Sequence, residues 1–155
     1  MGKFMSTKLF EGYSTCFRQW RATQSHCAYI HGYSLKFKVW FECLGLDDKS
    51  WVQDFGSFKR NGVKEHLRYM FDHTTVIAKD DPKLSIFKEL EKEGLVQLRI
   101  IDQVGCEKFA EYVFNYINQI VFDESKGRVK VRKVECFEDE KNSAIFLIPS
   151  ANSDD

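Results

Sequence analysis

Apolar and polar residues alternate along several segments of the chain, and this alternation predicts strands. The clearest run has an apolar side chain at every second position: Leu35, Phe37, Val39, Phe41 and Cys43. A period of two places such residues on one face of a half-buried strand. Weaker patterns of the same kind predict further strands over residues 8–21, 95–101, 128–137 and 143–148.

Apolar residues at helical spacing predict the helices. The first is expected to start at Asp54, a good N-cap, and to run to Met70, with Gly62 weakening its middle. The Asp-Pro pair at 81–82 is expected to open a short second helix, and a third helix is predicted over residues 106–121. Along the chain the predicted order is two strands, one or two helices, a strand, a helix and two strands. This order predicts an α+β fold, with an antiparallel sheet packed against helices.

The composition indicates one folded domain. The chain has 155 residues, of which 43% are hydrophobic and 15% aromatic, and this is enough to build a packed core. We assign residues 1–149 to a single domain. Residues 150–155 are small, polar and acidic, so we expect them to form a flexible tail.

Charge and hydropathy argue against a nucleic-acid or membrane partner. Twenty-three basic residues balance twenty-three acidic ones, whereas a nucleic-acid binder usually carries a basic excess. No apolar run reaches the roughly 20 residues of a transmembrane helix. The N-terminus also lacks the apolar stretch of a signal peptide. We therefore expect a cytoplasmic protein with no nucleic-acid or membrane partner.

The five cysteines form no C-x-x-C pair, and an odd number favours reduced thiols over a disulfide framework. Cys27 differs from the others because it stands in a loop with His26 and His31. A thiolate exists at neutral pH only near a positive charge or a metal, which an imidazole or a bound cation would supply. The alternative is a surface loop in which these residues have no joint role.

Two other places could carry chemistry. Asp72 precedes His73 at the end of the first helix, where a carboxylate can orient an imidazole for proton transfer; the alternative is a helix-end Asp with a solvated His. Glu135 stands in an otherwise apolar strand. A buried carboxylate needs a partner, and a guanine-like edge with two parallel N–H donors would be one. The alternative is an edge-strand residue facing solvent.

Four motifs in this order resemble the 6-pyruvoyltetrahydropterin synthase family, which includes the 6-carboxytetrahydropterin synthases of the queuosine pathway. They are C-x-x-x-H-G at 27–32, W-V-x-D-F-x-x-x-K at 51–59, D-H at 72–73 and the strand glutamate Glu135. The similarity extends over residues 9–146. It implies a tunnelling fold, with a four-stranded antiparallel sheet and two main helices on one face. It also implies a homo-oligomeric β-barrel, usually a hexamer, with active sites at the interfaces.

The resemblance also implies roles for single residues. Cys27 corresponds to the catalytic base or nucleophile, Asp72 and His73 to the proton-relay pair, and Glu135 to the pterin anchor. Glu107 is the preserved member of a substrate-binding segment before the last long helix. Residues 74–103 are longer than the usual connection, and we expect them to reshape the pocket mouth or an interface.

The family's zinc ligands are mostly missing. The family binds zinc with one His on the first strand and two in H-G-H, but here only His31 remains. Tyr33 replaces the last ligand, and Gln19, or Trp20 in a second alignment, replaces the first. Such a set is expected to bind zinc poorly. His26 could substitute, together with His31 and a further donor such as Cys27.

Two functions remain open from the sequence. The first is a lyase that converts dihydroneopterin triphosphate to a tetrahydropterin, for a biopterin-like or deazaguanine pathway. Its candidate phosphate-binding residues are Arg18, Arg21, Lys36 and Lys38. The second is a zinc-less oligomer that binds a pterin or purine and has altered or lost catalysis.

Overall fold

A six-stranded sheet forms the centre of the protein. The computed structural model describes residues 2–149, so the predicted tail at 150–155 lies outside the described residues. In spatial order the strands run β4-β3-β1-β2-β5-β6. Their bounds are β1 Phe4–Phe17, β2 His31–Cys43, β3 Thr74–Ala78, β4 Leu98–Ile101, β5 Lys130–Phe137 and β6 Ser143–Leu147.

The predicted four-stranded antiparallel sheet is only part of what is present. Strands β1, β2, β5 and β6 are antiparallel neighbours, as predicted, but β3 and β4 extend the sheet beyond β1 and run parallel to it. The prediction missed β3 because all five of its residues are buried. A short strand without a polar face has no alternation to detect.

The long connection 74–103 forms a strand-helix-strand unit, in which α3 (Leu84–Lys92) links β3 to β4. A small separate cluster packs it: Ile77, Phe87 and Leu98. Strand β3 pairs with β1 only at Thr15 and Cys16. The edge of β1 before these residues therefore has no strand beside it within the described chain.

The remaining helices cover one face of the sheet. They are α1 (Ser57–Arg60), α2 (Val63–Phe71) and α4 (Cys106–Glu124). The single helix predicted from Asp54 is in fact α1 and α2, because Gly62 takes a left-handed conformation with φ 85° between them. The core between the helices and the sheet is rich in fully buried phenylalanines: Phe37, Phe41, Phe58, Phe71, Phe109 and Phe114. Within residues 2–149, no helix is long and apolar enough to cross a bilayer.

The two faces of the sheet carry different chemistry. The odd-numbered residues of β2 face the helices, and Leu35, Phe37 and Val39 among them are fully buried. Lys36 and Lys38 project from the opposite face and are half-buried. We call this face helix-free, because α3 packs on it only at β3 and β4. Which face a residue occupies decides whether it can reach the site described next.

Candidate active site

Cys27 lies on a short 3-10 helix, His26–Ala28, in the loop between β1 and β2. The Ser25 hydroxyl caps this helix by accepting a hydrogen bond from the Cys27 amide at 3.1 Å. The Gln19 amide donates to the Cys27 carbonyl at 2.7 Å, which ties the helix back to the end of β1. Cys27 is the one exposed cysteine among the five. Its thiol is therefore held on an ordered turn and open to a ligand.

An ion pair anchors this loop to the strand-helix-strand unit. Arg18 donates to both carboxylate oxygens of Asp81, from Nε at 2.8 Å and from Nη2 at 2.7 Å. Its third nitrogen, Nη1, donates to the Ala28 carbonyl at 3.3 Å. Arg21 bonds to Asp80 at 3.0 Å. Both arginines predicted to hold phosphates therefore already have carboxylate partners.

We expect Asp81→Asn to lower the free energy of unfolding by roughly 1–3 kcal/mol, the range for hydrogen bonds to charged groups. Asp81 is 4% exposed, so in the variant water cannot take the place of the lost carboxylate beside Arg18. Hydrogen bonds from Arg18 hold the pKa of Asp81 below its ordinary value. The stabilisation is then present at neutral pH and is lost as the pH falls below about 4.

Urea unfolding of the wild type and the variant at pH 7 and at low pH would measure this effect. Asp102→Asn is the matched control, because Asp102 also pairs with a cation, Lys79, but its side chain is 82% exposed. The control should change stability little. An Asp81→Asn deficit that is equally large at both pH values would contradict the assignment.

Four side chains, which we call the thiol cluster, meet at this end of the sheet: Cys27, His31, Tyr33 and Glu138. A hydrogen bond to the Glu138 carboxylate, together with burial and the nearby Cys27 thiol, raises the pKa of Tyr33 to about 12. His31 Nδ1 lies 2.7 Å from the Tyr29 carbonyl, so Nδ1 carries the proton and Nε2 is left as an acceptor. The cluster thus offers a thiol, an imidazole acceptor and a carboxylate.

Glu135, the predicted anchor, does not join this cluster. It lies on the helix-free face of β5, where the Ser143 hydroxyl donates to it at 2.6 Å. Glu138 stands three residues later, just past the end of β5, on the side that faces Tyr33. Sequence reasoning missed Glu138, although counting in twos from the buried Val134 and Cys136 would have found it.

Glu107 lies at the same end of the sheet, in the first turn of α4. Its carboxylate and that of Glu138 both act on the buried Cys136 thiol. The pKa of Cys136 is raised mainly by a hydrogen bond with Cys106 and by burial, and further by these two charges. Glu107 and Glu138 therefore both lie near Cys136.

Gln19 does not take the position expected of a metal ligand. Its Nε2 donates to the Val104 carbonyl at 2.6 Å. The Gln19 side chain lies so close to the backbone at Gly105 that a Cβ on Gly105 would be 2.8 Å from the same nitrogen. The residue of β1 that faces His31 is Phe17, its register partner. The Phe17 ring lies 5.1 Å from His31 and 5.9 Å from Tyr33, between ring centroids.

These donors do not fit a zinc ion. Of the three residues that meet at this point, Phe17 has no donor atom. The Tyr33 phenol keeps its proton far above neutral pH, which leaves one imidazole, from His31. His26 is exposed and makes no side-chain hydrogen bond or ion pair with other described residues. No group of three or more His, Cys, Asp or Glu side chains within residues 2–149 could hold a metal ion.

Asp72 and His73 form a hydrogen-bonded pair beside the free edge of β1. Asp72 Oδ1 lies 3.0 Å from His73 Nδ1 and accepts a hydrogen bond from the Ser14 amide at 3.1 Å. His73 has a left-handed backbone with φ 55°, which is strained for a residue with a Cβ, and its side chain is 77% exposed. The strained turn thus presents an oriented and exposed imidazole beside this edge.

The Asp72-His73 pair and the thiol cluster do not meet within one chain. Ser14, which holds Asp72, lies three residues before Phe17 on β1, or about 10 Å along the strand. No hydrogen bond or ion pair joins the two groups in the described part of the chain. The structure brings Cys27, His31 and Tyr33 together and adds Glu138. It places Glu107 at the same end of the sheet, near Cys136, and leaves the proton-relay pair on a separate surface.

Comparison with known proteins places this arrangement in a family. The model of the 6-pyruvoyl tetrahydropterin synthase family matches residues 7–148. An uncharacterized protein from Wolinella succinogenes shares the fold with a TM-score of 0.79 at 18% identity, over 95% of this chain and 99% of that one. The 6-pyruvoyl tetrahydropterin synthase of Caenorhabditis elegans has a TM-score of 0.64 at 17% identity, over 96% and 98%.

A catalytic-residue variant of the Plasmodium vivax 6-pyruvoyltetrahydropterin synthase is similar to the same extent. Its TM-score is 0.63 at 15% identity, over 92% of this chain and 97% of that chain. No curated protein matches the sequence. Since the family model covers nearly the whole fold, the chain belongs to the 6-pyruvoyl tetrahydropterin synthase family.

Proposed function

We propose that this protein is a tetrahydropterin-synthase-type lyase that acts on dihydroneopterin triphosphate without the family's zinc ion. One observation carries the proposal: Tyr33 has both the exposed Cys27 thiol and the Glu138 carboxylate as neighbours at one end of the sheet. A carboxylate and a thiol on either side of one residue are suited to hold a heterocycle while its side chain reacts. The product would serve tetrahydropterin or deazaguanine (queuosine-type) biosynthesis.

Glu138 is the better candidate for the pterin anchor. The amino group and ring N–H of a pterin offer two parallel donors, which a single carboxylate can accept together. Glu138 belongs to the thiol cluster because it is hydrogen-bonded to Tyr33, whereas Glu135 lies on the other face of the sheet. A pterin held by Glu138 would therefore extend its side chain toward Cys27.

We assign the proton transfers to Cys27 and to the Asp72-His73 pair. The Cys27 thiolate takes a proton from the side-chain carbon next to the one that carries the triphosphate. The electron pair of that C–H bond forms a carbon–carbon double bond, and the triphosphate leaves with the electron pair of its C–O bond. Protonated His73, oriented by Asp72, gives a proton to the leaving oxygen. No step uses a metal, because the donor set around His31 does not fit one.

A ring of subunits would bring the two groups together. The free edge of β1 lies beside Asp72, and the free edge of β6 follows directly after the hairpin that carries Glu138. If β6 of one copy pairs with β1 of the next, Asp72 and His73 approach the thiol cluster of the neighbour. This pairing also covers two exposed edges. We therefore propose a cyclic homo-oligomer, most simply two stacked trimers.

A second candidate function is binding without turnover. The loss of zinc ligands at Phe17 and Tyr33 favours it, because the family reaction relies on a metal to polarise the side chain. Incubation with dihydroneopterin triphosphate, followed by mass analysis, separates the two functions. A tetrahydropterin product supports the lyase, whereas a bound but unchanged substrate supports the binding protein.

Replacement of the anchor should weaken pterin binding selectively. We expect Glu138→Gln to lower the affinity for biopterin about tenfold or more, since hydrogen bonds to a charged group contribute roughly 1.5–3 kcal/mol. Glu135→Gln is the matched control and should bind as the wild type does. Calorimetric titration measures both. The opposite result, a loss in Glu135→Gln alone, would return the anchor to the position that the sequence motif suggested.

A further inference from the structure

A groove lies between the free edge of β1 and helix α2, directly beside Asp72. Its volume is about 440 Å³. Three cationic side chains line it: Lys8 from β1, and Lys64 and Arg68 from α2. We call this cavity the cationic groove.

The cations of this groove form no ion pairs. Neither Lys8, Lys64 nor Arg68 lies within ion-pair distance of a carboxylate in residues 2–149, although Glu11 and Asp72 line the same groove. Arg18 and Arg21, in contrast, are both paired. The three cations outnumber the two carboxylates, and a net positive charge in a concave place attracts an anion.

The spacing along α2 strengthens this point. Lys64 and Arg68 are one turn apart, and Asp72 follows one turn later, at the end of the helix. At this spacing Lys64 repels Arg68 and Asp72 attracts it, each by roughly 0.2–0.5 kcal/mol, so the two effects nearly cancel. Lys64 is left without an ion pair in the described chain and can serve an external anion.

We propose that the cationic groove binds a polyphosphate, namely the triphosphate of the substrate. The identification of that phosphate as the substrate's own rests on the proposed function. The groove and the pocket that contains His73 share Arg68 and Asp72, so a phosphate bound there lies next to the proton-relay pair. The groove, rather than Arg18 and Arg21, then holds the charged end of the substrate.

The test compares two double variants by calorimetric titration with inorganic tripolyphosphate. Lys64→Gln/Arg68→Gln removes two groove charges, and Lys88→Gln/Lys92→Gln removes an exposed pair with the same spacing on α3. We expect the first to weaken tripolyphosphate binding about tenfold or more and the second to leave it unchanged. Binding to the wild type should also weaken as salt is added.

A thermal melt separates binding from folding. Because the variant removes both the repulsion between Lys64 and Arg68 and the attraction between Arg68 and Asp72, Lys64→Gln/Arg68→Gln should melt close to the wild type. Equal tripolyphosphate affinity in this variant and the wild type, or no binding to the wild type, would overturn the proposal.

Two further ligands identify the source of the phosphate. Biopterin has no phosphate and should bind the wild type and the groove variant alike, whereas dihydroneopterin triphosphate should lose affinity in the variant. Unchanged affinity for dihydroneopterin triphosphate would overturn the assignment to the substrate. Tripolyphosphate binding by a wild type that fails to bind biopterin would instead count against the proposed function and leave the groove intact.

Discussion

Cys27→Ala is expected to reduce turnover of dihydroneopterin triphosphate by about 10²–10⁴-fold, the usual contribution of a positioned acid or base. The reason is that Cys27 is the one exposed thiol and is a neighbour of Tyr33, which is hydrogen-bonded to Glu138. Alanine removes the proton acceptor but leaves the anchor in place. Biopterin affinity should therefore change little, so the loss should appear in kcat. Product formation by mass analysis and calorimetric titration measure the two effects.

Two controls make this result specific. Cys16→Ala removes the partly exposed thiol on β1, which contacts Thr75 instead of the thiol cluster, and should retain turnover. Mixing Cys27→Ala subunits with His73→Ala subunits should restore activity to about a quarter of the wild-type level, if each site takes one residue from each of two copies. An inactive mixture would contradict the shared site.

Zinc binding should appear when two histidines are added next to His31. We expect Phe17→His/Tyr33→His to hold close to one zinc ion per chain after dialysis, and the wild type to hold little. The two replaced side chains already face His31, with ring centroids 5.1 and 5.3 Å away, so three imidazoles would converge. Three histidines and one open position form a typical catalytic zinc site. Metal analysis of the purified proteins measures the difference.

A second variant tests whether position 17 or position 19 corresponds to the first zinc ligand. Gln19→His/Tyr33→His should gain little zinc, because the Gln19 side chain points to the Val104 carbonyl. Phe17 is 4% exposed, so urea unfolding must confirm that the first variant folds. If the wild type carries one tightly bound zinc ion that His26→Ala removes, our interpretation of the site is wrong.

Much of the fold could be predicted from the sequence, because local patterns determine it. The apolar alternation of β2 and the helical spacing of α4 are long enough to be unambiguous. The ordered motifs then identified the family, which the family model confirms over residues 7–148. Strand β3 escaped because it is buried on both faces, and its parallel pairing with β1 follows from contacts between residues nearly 60 positions apart.

The site was predictable residue by residue only where a motif was preserved. Cys27 and His31 stand in one motif and do lie together with Tyr33. The anchor was placed at Glu135 because that residue interrupts an apolar strand, but interruption alone does not say which face it occupies. The pairing of Phe17 with His31 depends on strand register, and a one-residue slip would exchange the two faces.

The ion pair between Arg18 and Asp81 links the mobility of two distant segments. The strand-helix-strand unit has its own small cluster and joins β1 over only two residues, so it can open as a separate cooperative unit. When it opens, Asp81 leaves Arg18, and the turn that carries Cys27 loses one of its anchors. Amide hydrogen exchange in β3 and in the turn at residues 26–28 should then follow one local unfolding event. The order of the turn that holds the thiol thus depends on the stability of a segment far away in the sequence.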